Sequence, residues 1–291
     1  MVDSVMVPPQ MVLPAPAKVN LNLHIHGRRE DGMHLLSGQM ILVDLQDRIT
    51  LTLRTDGKIV RQWQHAQVAT EDDIALKAAQ RLQKCAGCHA FGVEIAIEKN
   101  IPIGGGLGGA SSNAATVLIG LNRLWQLDWR KEKLLKIAIS LGADVPFFFH
   151  GLPSAVSGIG DIFHNANIDI NNYLLVFPPV AAMTVEVYKE YARLTNVQKI
   201  DRIPSPLEKS DNDLTLAAVN LYPPIKQVAE ILYQVAGEAR LSGSGSTLFA
   251  VFASHAEAQQ ARQKLPVTLA ATVVNALVQH PLENLHITDG E

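Results

Sequence analysis

The chain has 291 residues, of which 47% are hydrophobic, 18% charged and 5% aromatic, and its formal net charge is −3. The length predicts one large or two medium-sized domains, while the weak net charge and the few aromatic residues exclude nucleic acid as the expected partner. Because no apolar run reaches roughly 18 residues and residues 1–16 lack a signal-peptide pattern, we expect a cytoplasmic protein without a membrane partner.

A strand is the first predicted element, and it follows a flexible tail predicted over residues 1–13. Apolar and polar residues alternate without a break from Lys18 to His26, which predicts a strand with one face on a core. The other face carries a lysine, two asparagines and two histidines, and it fits either a solvated surface or the floor of a polar site. The histidines of this strand have no close third ligand except His34, so we predict no metal site.

The next segments predict an α+β domain with a mostly antiparallel sheet. GRREDGMH predicts a turn, SGQMILVDL and DRITLTLR predict two strands, DDIALKAAQRLQ predicts a helix, and FGVEIAIE predicts a strand. Cys85 and Cys88 have the C-x-x-C-H spacing of haem attachment, but they fall at the end of the predicted helix. Without an export signal or further metal ligands, we interpret them as ordinary helix-end cysteines.

A glycine-rich stretch, Ile101–Trp125, then joins the FGVEIAIE strand to a helix. Five of the six residues from Gly104 to Gly109 are glycine, and an apolar run with helical spacing follows. Ser111 or Ser112 is the predicted cap of that helix. Unhindered backbone N–H groups beside the positive end of a helix favour an anion, so this stretch predicts a phosphate-binding loop.

Local sequence alone leaves the type of phosphate loop open. A P-loop would end in Gly-Lys-Ser or Gly-Lys-Thr, and no lysine follows these glycines. Gly104, Gly106 and Gly109 match the dinucleotide pattern G-x-G-x-x-G, which also requires an acidic residue about 20 positions later at the end of a strand. Asp128 has this spacing, but it lies where a second helix is predicted to start.

A carboxylate follows that second helix. WRKEKLLKIAISLG predicts an amphipathic helix ending at Gly142, and Asp144 comes next, before the apolar, strand-like run Phe147–Phe149. A carboxylate beside an apolar segment is partly desolvated, so it should have a specific partner. Asp144 therefore fits either a turn or capping residue, or a catalytic one.

The second half predicts a further α/β unit with an antiparallel sheet. NNYLLVFPPV predicts a strand, TVEVYKEYARL a helix, and PPIKQVAEILYQV a helix that begins with prolines. Asp211–Asp213 is predicted to cap a helix through LTLAAVNLY. A second small-residue loop, Ser242–Ser246, precedes a strand over 247–252, and SHAEAQQARQKL and VTLAATVVNALV predict a last helix and strand.

With these segments assembled, the chain resembles the GHMP kinase superfamily. Its three motifs occur in order as PAKVNLNL, PIGGGLGGASSNAA and LSGSGSTLF, and LGADVPFFFHG supports the match. The resemblance implies an α+β fold of two domains, an ATP-binding domain over 14–168 and a substrate-side α/β sandwich over 169–291. It implies ATP-dependent phosphorylation of a hydroxyl group, with Mg²⁺ bridging the ATP phosphates. The implied acceptor is a small molecule, a cytidine diphosphate-linked sugar alcohol.

The resemblance also implies roles for individual residues. Asp144 becomes the catalytic aspartate and Lys18 its partner, and Asn20 helps to hold the acceptor. His34 is expected to bind the cytosine edge, and Tyr188 to stack on that base. Gly243, Ser244 and Gly245 are expected to close the site around the acceptor. The ATP phosphates are expected on Pro102, Ile103, Gly104, Gly105, Gly106, Leu107, Gly108, Gly109, Ala110, Ser111 and Ser112.

Three residues depart from the pattern that the family usually shows. Met33 stands at a usual tyrosine, Pro179 at a usual glycine, and Asp73 at a common asparagine near the adenine. The catalytic pair is intact, so these departures concern affinity and nucleoside selectivity rather than the reaction. The alternatives are a mevalonate or homoserine kinase of the same superfamily, a nicotinamide-dependent dehydrogenase, and a non-catalytic nucleotide-binding module.

Overall fold

The computed structural model of the protein describes residues 8–62, 73–87, 89–196 and 211–283. The strands in these ranges are β1 Gln10–Arg28, β2 His34–Arg54, β3 Ile59–Gln62, β4 Gly92–Glu98, β5 Ser154–Ser157, β6 Ile162–Asn165, β7 Asn172–Val176, β8 Arg240–Leu241, β9 Leu248–Phe252 and β10 Ala271–Leu277. The helices are α1 Ile74–Ala86, α2 Gly109–Leu124, α3 Lys131–Ile139, α4 Val145–His150, α5 Thr184–Asn196, α6 Thr215–Leu221, α7 Pro223–Ala236 and α8 His255–Gln263.

One largely antiparallel sheet runs through both halves of the chain. Its strand order is β3-β4-β2-β10-β7-β9-β8, with β1 and β5 also paired to β2 and β6 paired to β5. Among the pairs of named strands described, only β3 and β4 are parallel. The last strand, β10, pairs with β2 and with β7, so it joins the two halves. The predicted α+β class with an antiparallel sheet is confirmed.

Strands β1 and β2 differ from their prediction in extent. The two strands predicted from SGQMILVDL and DRITLTLR are one strand, because β2 pairs with β1 along almost its whole length. β1 begins at Gln10, so the predicted tail is wrong for residues 10–13, and residues 1–7 lie outside the described part of the chain. Leu13 explains the difference, since its buried side chain adds to the core.

A bulge in β1 breaks the predicted alternation. The register against β2 shifts at Leu21, which is one extra residue in β1. An extra residue reverses the faces of the side chains that follow, up to the next register shift at His26, so the cleft is lined by Lys18 and Asn20 before the bulge and by Leu23 after it. The unbroken polar face is therefore wrong, and His24 instead lies beside carboxylates of the 211–213 segment.

Three apolar cores hold the layers together. The first packs α1, α2, α3 and α4 on β1, β2 and β4, and the second packs α5, α6, α7 and α8 on β7 and β9. The third lies between them and includes Val19, Ile41, Tyr173 and Phe249. The domain boundaries over 14–168 and 169–291 stay a prediction. No helix in the described ranges has both the length and the apolar run that a membrane span requires.

Three helix starts differ from their prediction. α2 begins at Gly109 after Gly108, whose φ of 68° is left-handed, so neither predicted serine caps it. Residues 145–150 form helix α4 rather than a strand; Pro146 suits its first turn, and the three phenylalanine rings are buried in the first core. Leu214 directly precedes α6 and makes no side-chain cap, but the Asn212 side chain accepts the Leu214 N–H at 3.0 Å, so the predicted 211–213 cap is confirmed in part. Cys85 is exposed in the last turn of α1, the predicted position at a helix end, and Cys88 lies outside the described residues.

Candidate active site

One large cleft of about 810 Å³ contains most of the predicted site residues. Its walls come from β1, the glycine-rich loop, the 143–144 segment, α5 and the 243–244 segment. This volume lies within the range of ligand-binding clefts in proteins. The cleft includes Lys18, Asn20, His34, Pro102 to Ser111, Asp144, Tyr188, Gly243 and Ser244, whereas Ser112 and Gly245 do not line it.

Hydrogen bonds to its carbonyl groups fix the orientation of the glycine-rich loop. Four consecutive carbonyls, those of Gly104–Leu107, accept bonds of 2.9–3.1 Å from groups outside the loop. Because the C=O and the following N–H of a trans peptide point in opposite directions, the N–H groups of residues 105–108 face away from these donors. The donors are the N–H groups of Ala182, Ser246, Thr247 and Lys18 and the hydroxyl of Ser242.

The N-terminus of α2 completes an anion-binding surface. Gly108 lies so close to its surroundings that a Cβ there would be 3.0 Å from both Lys18 Cγ and Phe148 Cζ. Glycine at this position therefore allows the lysine side chain to lie against the loop. The positive end of α2 and the N–H groups of the loop together favour phosphate oxygens.

Lys18 and Asp144 form an ion pair in the cleft. Lys18 Nζ lies 3.6 Å from Asp144 Oδ2, and the side chains are 5% and 38% exposed, respectively. Asp144 precedes α4 but its side chain makes no capping hydrogen bond, so its carboxylate stays available to a ligand. Lys18 Nζ also donates to Asn20 Oδ1. A buried cation and an accessible carboxylate thus lie beside the phosphate loop, which lacks a lysine of its own.

Ser242 connects β1, the glycine-rich loop and the second small-residue loop. Its fully buried hydroxyl accepts the Asn20 N–H at 3.2 Å and donates to the Gly106 carbonyl at 3.1 Å. Sequence did not indicate this role, because its partners are 222 and 136 positions away. Gly245 lies behind the loop, where its backbone N–H donates to the Ser242 carbonyl.

We predict that Ser242→Ala raises the KM for ATP severalfold and lowers stability by about 1–3 kcal/mol, because two buried groups lose their partner. Ser254→Ala is the control, since it removes one capping hydrogen bond of α8. It should lower stability by about 1 kcal/mol and leave the KM for ATP unchanged. Urea unfolding and ATP titration measure both effects. Equal KM values for ATP in the two variants would contradict the role of Ser242.

The part of the cleft where the acceptor is predicted to bind, called the acceptor end and defined by Met33, His34 and Tyr188, carries two rings in contact. The His34 and Tyr188 centroids are 4.7 Å apart with an interplanar angle of 33°. Burial, and secondly the charge of Arg28, lowers the pKa of His34, so its ring is neutral at neutral pH. Burial, and secondly the charge of Asp144, raises the pKa of Tyr188 to about 12. Met33 is 41% exposed and lines the same end.

Two ion pairs on the cleft wall were not predicted. Asp73 caps α1 and pairs with Arg61, and both residues line the cleft. Lys99 lines it too and pairs with Asp47, whose buried carboxylate also accepts the backbone N–H groups of residues 100 and 101. The paired residues are 12 and 52 positions apart in sequence, so no helical or strand period could reveal the pairs.

The residues around the loop fit a Mg²⁺ ion held mainly by phosphate. No group of three or more His, Cys, Asp or Glu residues with metal-binding geometry occurs in the described ranges. Mg²⁺ in nucleotide sites is typically held by one or two carboxylates and the substrate phosphates. The accessible carboxylate of Asp144 and the Ser111 hydroxyl, which both line the cleft, are suitable protein ligands.

Comparisons with known proteins identify the family of the chain. The family model for the GHMP kinases N terminal domain matches residues 73–152, and the model for the GHMP kinases C terminal matches 196–270. A 4-diphosphocytidyl-2-C-methyl-D-erythritol kinase from Nitrosomonas europaea is 38% identical over 94% of this chain and 99% of its own length. The same enzyme from Pseudomonas syringae pv. tomato is 40% identical over 92% and 94%, respectively.

Solved structures give the same result. A crystal structure of 4-(cytidine 5'-diphospho)-2C-methyl-D-erythritol kinase has a TM-score of 0.72 and 29% identity, covering 91% of this chain and 99% of that one. A homoserine kinase from Cytophaga hutchinsonii, with a TM-score of 0.66, 18% identity and coverage of 96% and 98%, shares the fold.

Fold and site together define a GHMP-type small-molecule kinase, so the resemblance seen in the sequence is confirmed. Within this class, identity of 38–40% extends over almost the whole chain. The chain therefore belongs to the family of 4-diphosphocytidyl-2-C-methyl-D-erythritol kinases. The dinucleotide interpretation of the glycines is wrong, because Asp128 lies between α2 and α3, is exposed, and does not line the cleft.

Proposed function

We propose that this protein transfers the γ-phosphoryl group of ATP to the 2-hydroxyl of 4-diphosphocytidyl-2-C-methyl-D-erythritol, a step of non-mevalonate isoprenoid biosynthesis. One observation carries the proposal: the Lys18–Asp144 pair, at 3.6 Å, lies in the same cleft as the phosphate loop. The names of the relatives support the acceptor. We further propose a cytoplasmic location, where ATP is available.

The residues divide the work of phosphoryl transfer, which depends on positioning and on stabilising charge. The N–H groups of the loop and the end of α2 hold the ATP phosphates. Asp144 orients the acceptor hydroxyl and accepts its proton, and Lys18 stabilises negative charge on the reacting oxygens. Mg²⁺, when bound to the phosphates, neutralises part of their charge. Asn20 holds Lys18 in place through its side-chain hydrogen bond.

The acceptor end supports a nucleobase. Tyr188 offers a ring for stacking, and neutral His34 offers one donor and one acceptor nitrogen to the edge of cytosine. The two rings contact each other, so the base would bind beside this pair. Gly243 and Ser244 line the cleft near Thr184, whose hydroxyl is 2.9 Å from that of Ser244, and they are proposed to close the site.

An ADP-release assay over three alcohols tests the proposed function. We expect turnover with 4-diphosphocytidyl-2-C-methyl-D-erythritol and none with mevalonate or homoserine. Turnover with one of the other two alcohols would instead favour the corresponding GHMP kinase. If none of the three alcohols caused ADP release, the proposed kinase activity would be refuted for these acceptors. The remaining interpretation would be a non-catalytic nucleotide-binding module.

We predict that Met33→Tyr lowers the KM for the cytidine substrate severalfold, because a ring at this exposed position would stack on the base where a thioether now packs. The KM for ATP should not change. The control is Met183→Tyr, which adds a ring at a position that is 58% exposed and does not line the cleft. An unchanged acceptor KM in folded Met33→Tyr would show that the base does not stack there.

A further inference from the structure

Helix α4 carries Asp144 at its start but has few means of holding its own position. It has six residues, Val145–His150, and a helix this short is not stable without tertiary contacts. Its first turn makes no side-chain capping bond, and its last turn is closed by the Gly151 N–H, which donates to the Phe147 carbonyl. The position of Asp144 therefore depends on what holds the two ends and the buried face of α4.

The segment Gln279–Glu283, which follows β10, contacts the C-terminal end of α4. The His280 N–H donates to the Gly151 carbonyl at 2.7 Å. Leu282 is 4% exposed and belongs to the same apolar core as the phenylalanines of α4. Glu283 Oε1 lies 3.8 Å from Lys131 Nζ at the start of α3. The pairing of β10 with β2 and β7 fixes where this segment begins.

Gly151 shows how closely the two segments approach. Its φ of 77° is left-handed, and a Cβ there would lie 2.9 Å from Glu283 Oε2 and 3.1 Å from His280 Cβ. The two segments thus touch at the residue that ends α4. Any shift of the 279–283 segment is transmitted directly to the last turn of this helix.

His280 shapes the contact. Its side chain is fully buried, and its Nδ1 accepts the N–H of Leu282, two residues later, at 3.1 Å. The Glu283 N–H donates to the His280 carbonyl at 3.0 Å. These two bonds fold the segment into a turn of the kind that asparagine and serine side chains also stabilise. The turn places both the His280 N–H and the Leu282 side chain against α4.

We propose that His280 is a positioning residue for phosphoryl transfer, because the turn that it stabilises holds α4 and thereby Asp144. The inference rests on the proposed function, in which Asp144 meets the acceptor hydroxyl. His280 follows β10 and lies outside the three sequence motifs, so this role would add a residue to those that the motifs supply. Small displacements of catalytic groups lower turnover strongly, by about a hundredfold for 1 Å.

The test combines steady-state kinetics with hydrogen exchange of the variants His280→Ala, His280→Ser and His280→Asn. We expect His280→Ala to lower kcat about tenfold while both KM values stay within about twofold, since a small shift of Asp144 affects the chemical step. Asparagine can accept the Leu282 N–H as Nδ1 does, so His280→Asn should restore most of kcat. A serine hydroxyl stabilises such a turn more weakly than an asparagine side chain does, so the kcat of His280→Ser should lie between those of His280→Ala and His280→Asn.

Hydrogen exchange measures the position of α4 independently of any substrate. The amides of residues 147–151 should exchange faster in His280→Ala, whereas those of β4 should be unchanged. His255→Ala is the matched control, because this histidine is exposed on α8 and contacts Asn275 and Gln259. It should leave kcat and exchange in α4 as they are.

The outcomes separate the two proposals. Unchanged kcat and unchanged exchange of residues 147–151 in His280→Ala would overturn the positioning role. Faster exchange in α4 and β4 alike would also overturn it, since the effect would be general destabilisation. If His280→Ala does not fold, the comparison of His280→Ser with His280→Asn decides the question. A wild-type protein without kinase activity refutes the proposed function, and the exchange result still stands.

Discussion

Asp144→Asn is expected to lower kcat by about 10²–10⁴-fold, the range for losing a general base, while the protein stays folded. Asparagine has nearly the same shape but cannot accept the hydroxyl proton. Folding should be retained because the Asp144 side chain is 38% exposed and makes no capping hydrogen bond. The buried Lys18 ammonium loses its counter-charge but keeps its hydrogen bond to Asn20. ADP release under saturating substrates gives kcat, and circular dichroism checks the fold.

Asp128→Asn is the matched control for this variant. Asp128 is 69% exposed, has a φ of 48° that asparagine also tolerates, and does not line the cleft. Its replacement should leave kcat unchanged, whereas a dinucleotide enzyme would need this acidic residue for the ribose. Turnover within a few fold of wild type in Asp144→Asn would refute Asp144 as the base.

Local sequence patterns predicted most of the elements that frame the site. The alternating Val93, Ile95 and Ile97 form β4, and the prolines at 223 and 224 start α7. These patterns succeed because the period of apolar residues matches the period of the element that buries them. The glycine-rich loop was also predicted, since few sequences other than phosphate loops place so many glycines between a strand and a helix.

The failures arise where tertiary contacts decide the structure. The apolar run Phe147–Phe149 has no period, and its helix forms because all three rings are buried between neighbouring helices and strands. The bulge at Leu21 leaves no mark in the alternation, yet it turns Leu23 rather than Asn22 toward the cleft. A local pattern cannot report a register that depends on the partner strand.

The catalytic pair is an intermediate case. No local pattern joins Lys18 to Asp144, and only the resemblance to GHMP kinases predicted that they meet. The structure explains the meeting, because Gly108 leaves room for the lysine stem and α4 presents the aspartate from the other side. Neither a local pattern nor the family resemblance predicted the roles of Asp47, Ser242 and His280. Each of these residues acts through backbone groups of a segment distant in sequence.

Gly106→Ala is expected to lower the free energy of unfolding by about 2–4 kcal/mol and to weaken ATP binding at least tenfold. The residue has a φ of 72°, which costs an alanine about 1–2 kcal/mol. Its Cβ would also lie 2.2 Å from the Ser242 carbonyl oxygen and 2.9 Å from that of Gly245. These are backbone atoms that cannot move aside singly, so overpacking adds about 1–3 kcal/mol. The loop would have to shift, and its N–H groups would lose their alignment on the phosphates.

Gly237→Ala is the control that separates the cost of a left-handed backbone from the cost of the steric contact at Gly106. Gly237 ends α7 with a φ of 73°, almost the same as that of Gly106, but nothing lies within 4 Å of its added Cβ. It should therefore cost only the 1–2 kcal/mol of the left-handed backbone and leave ATP binding unchanged. Urea unfolding and ATP titration of both variants give the comparison. If the two variants lost the same stability and bound ATP equally well, the contact between the two glycine-containing loops could not be what orients the phosphate site.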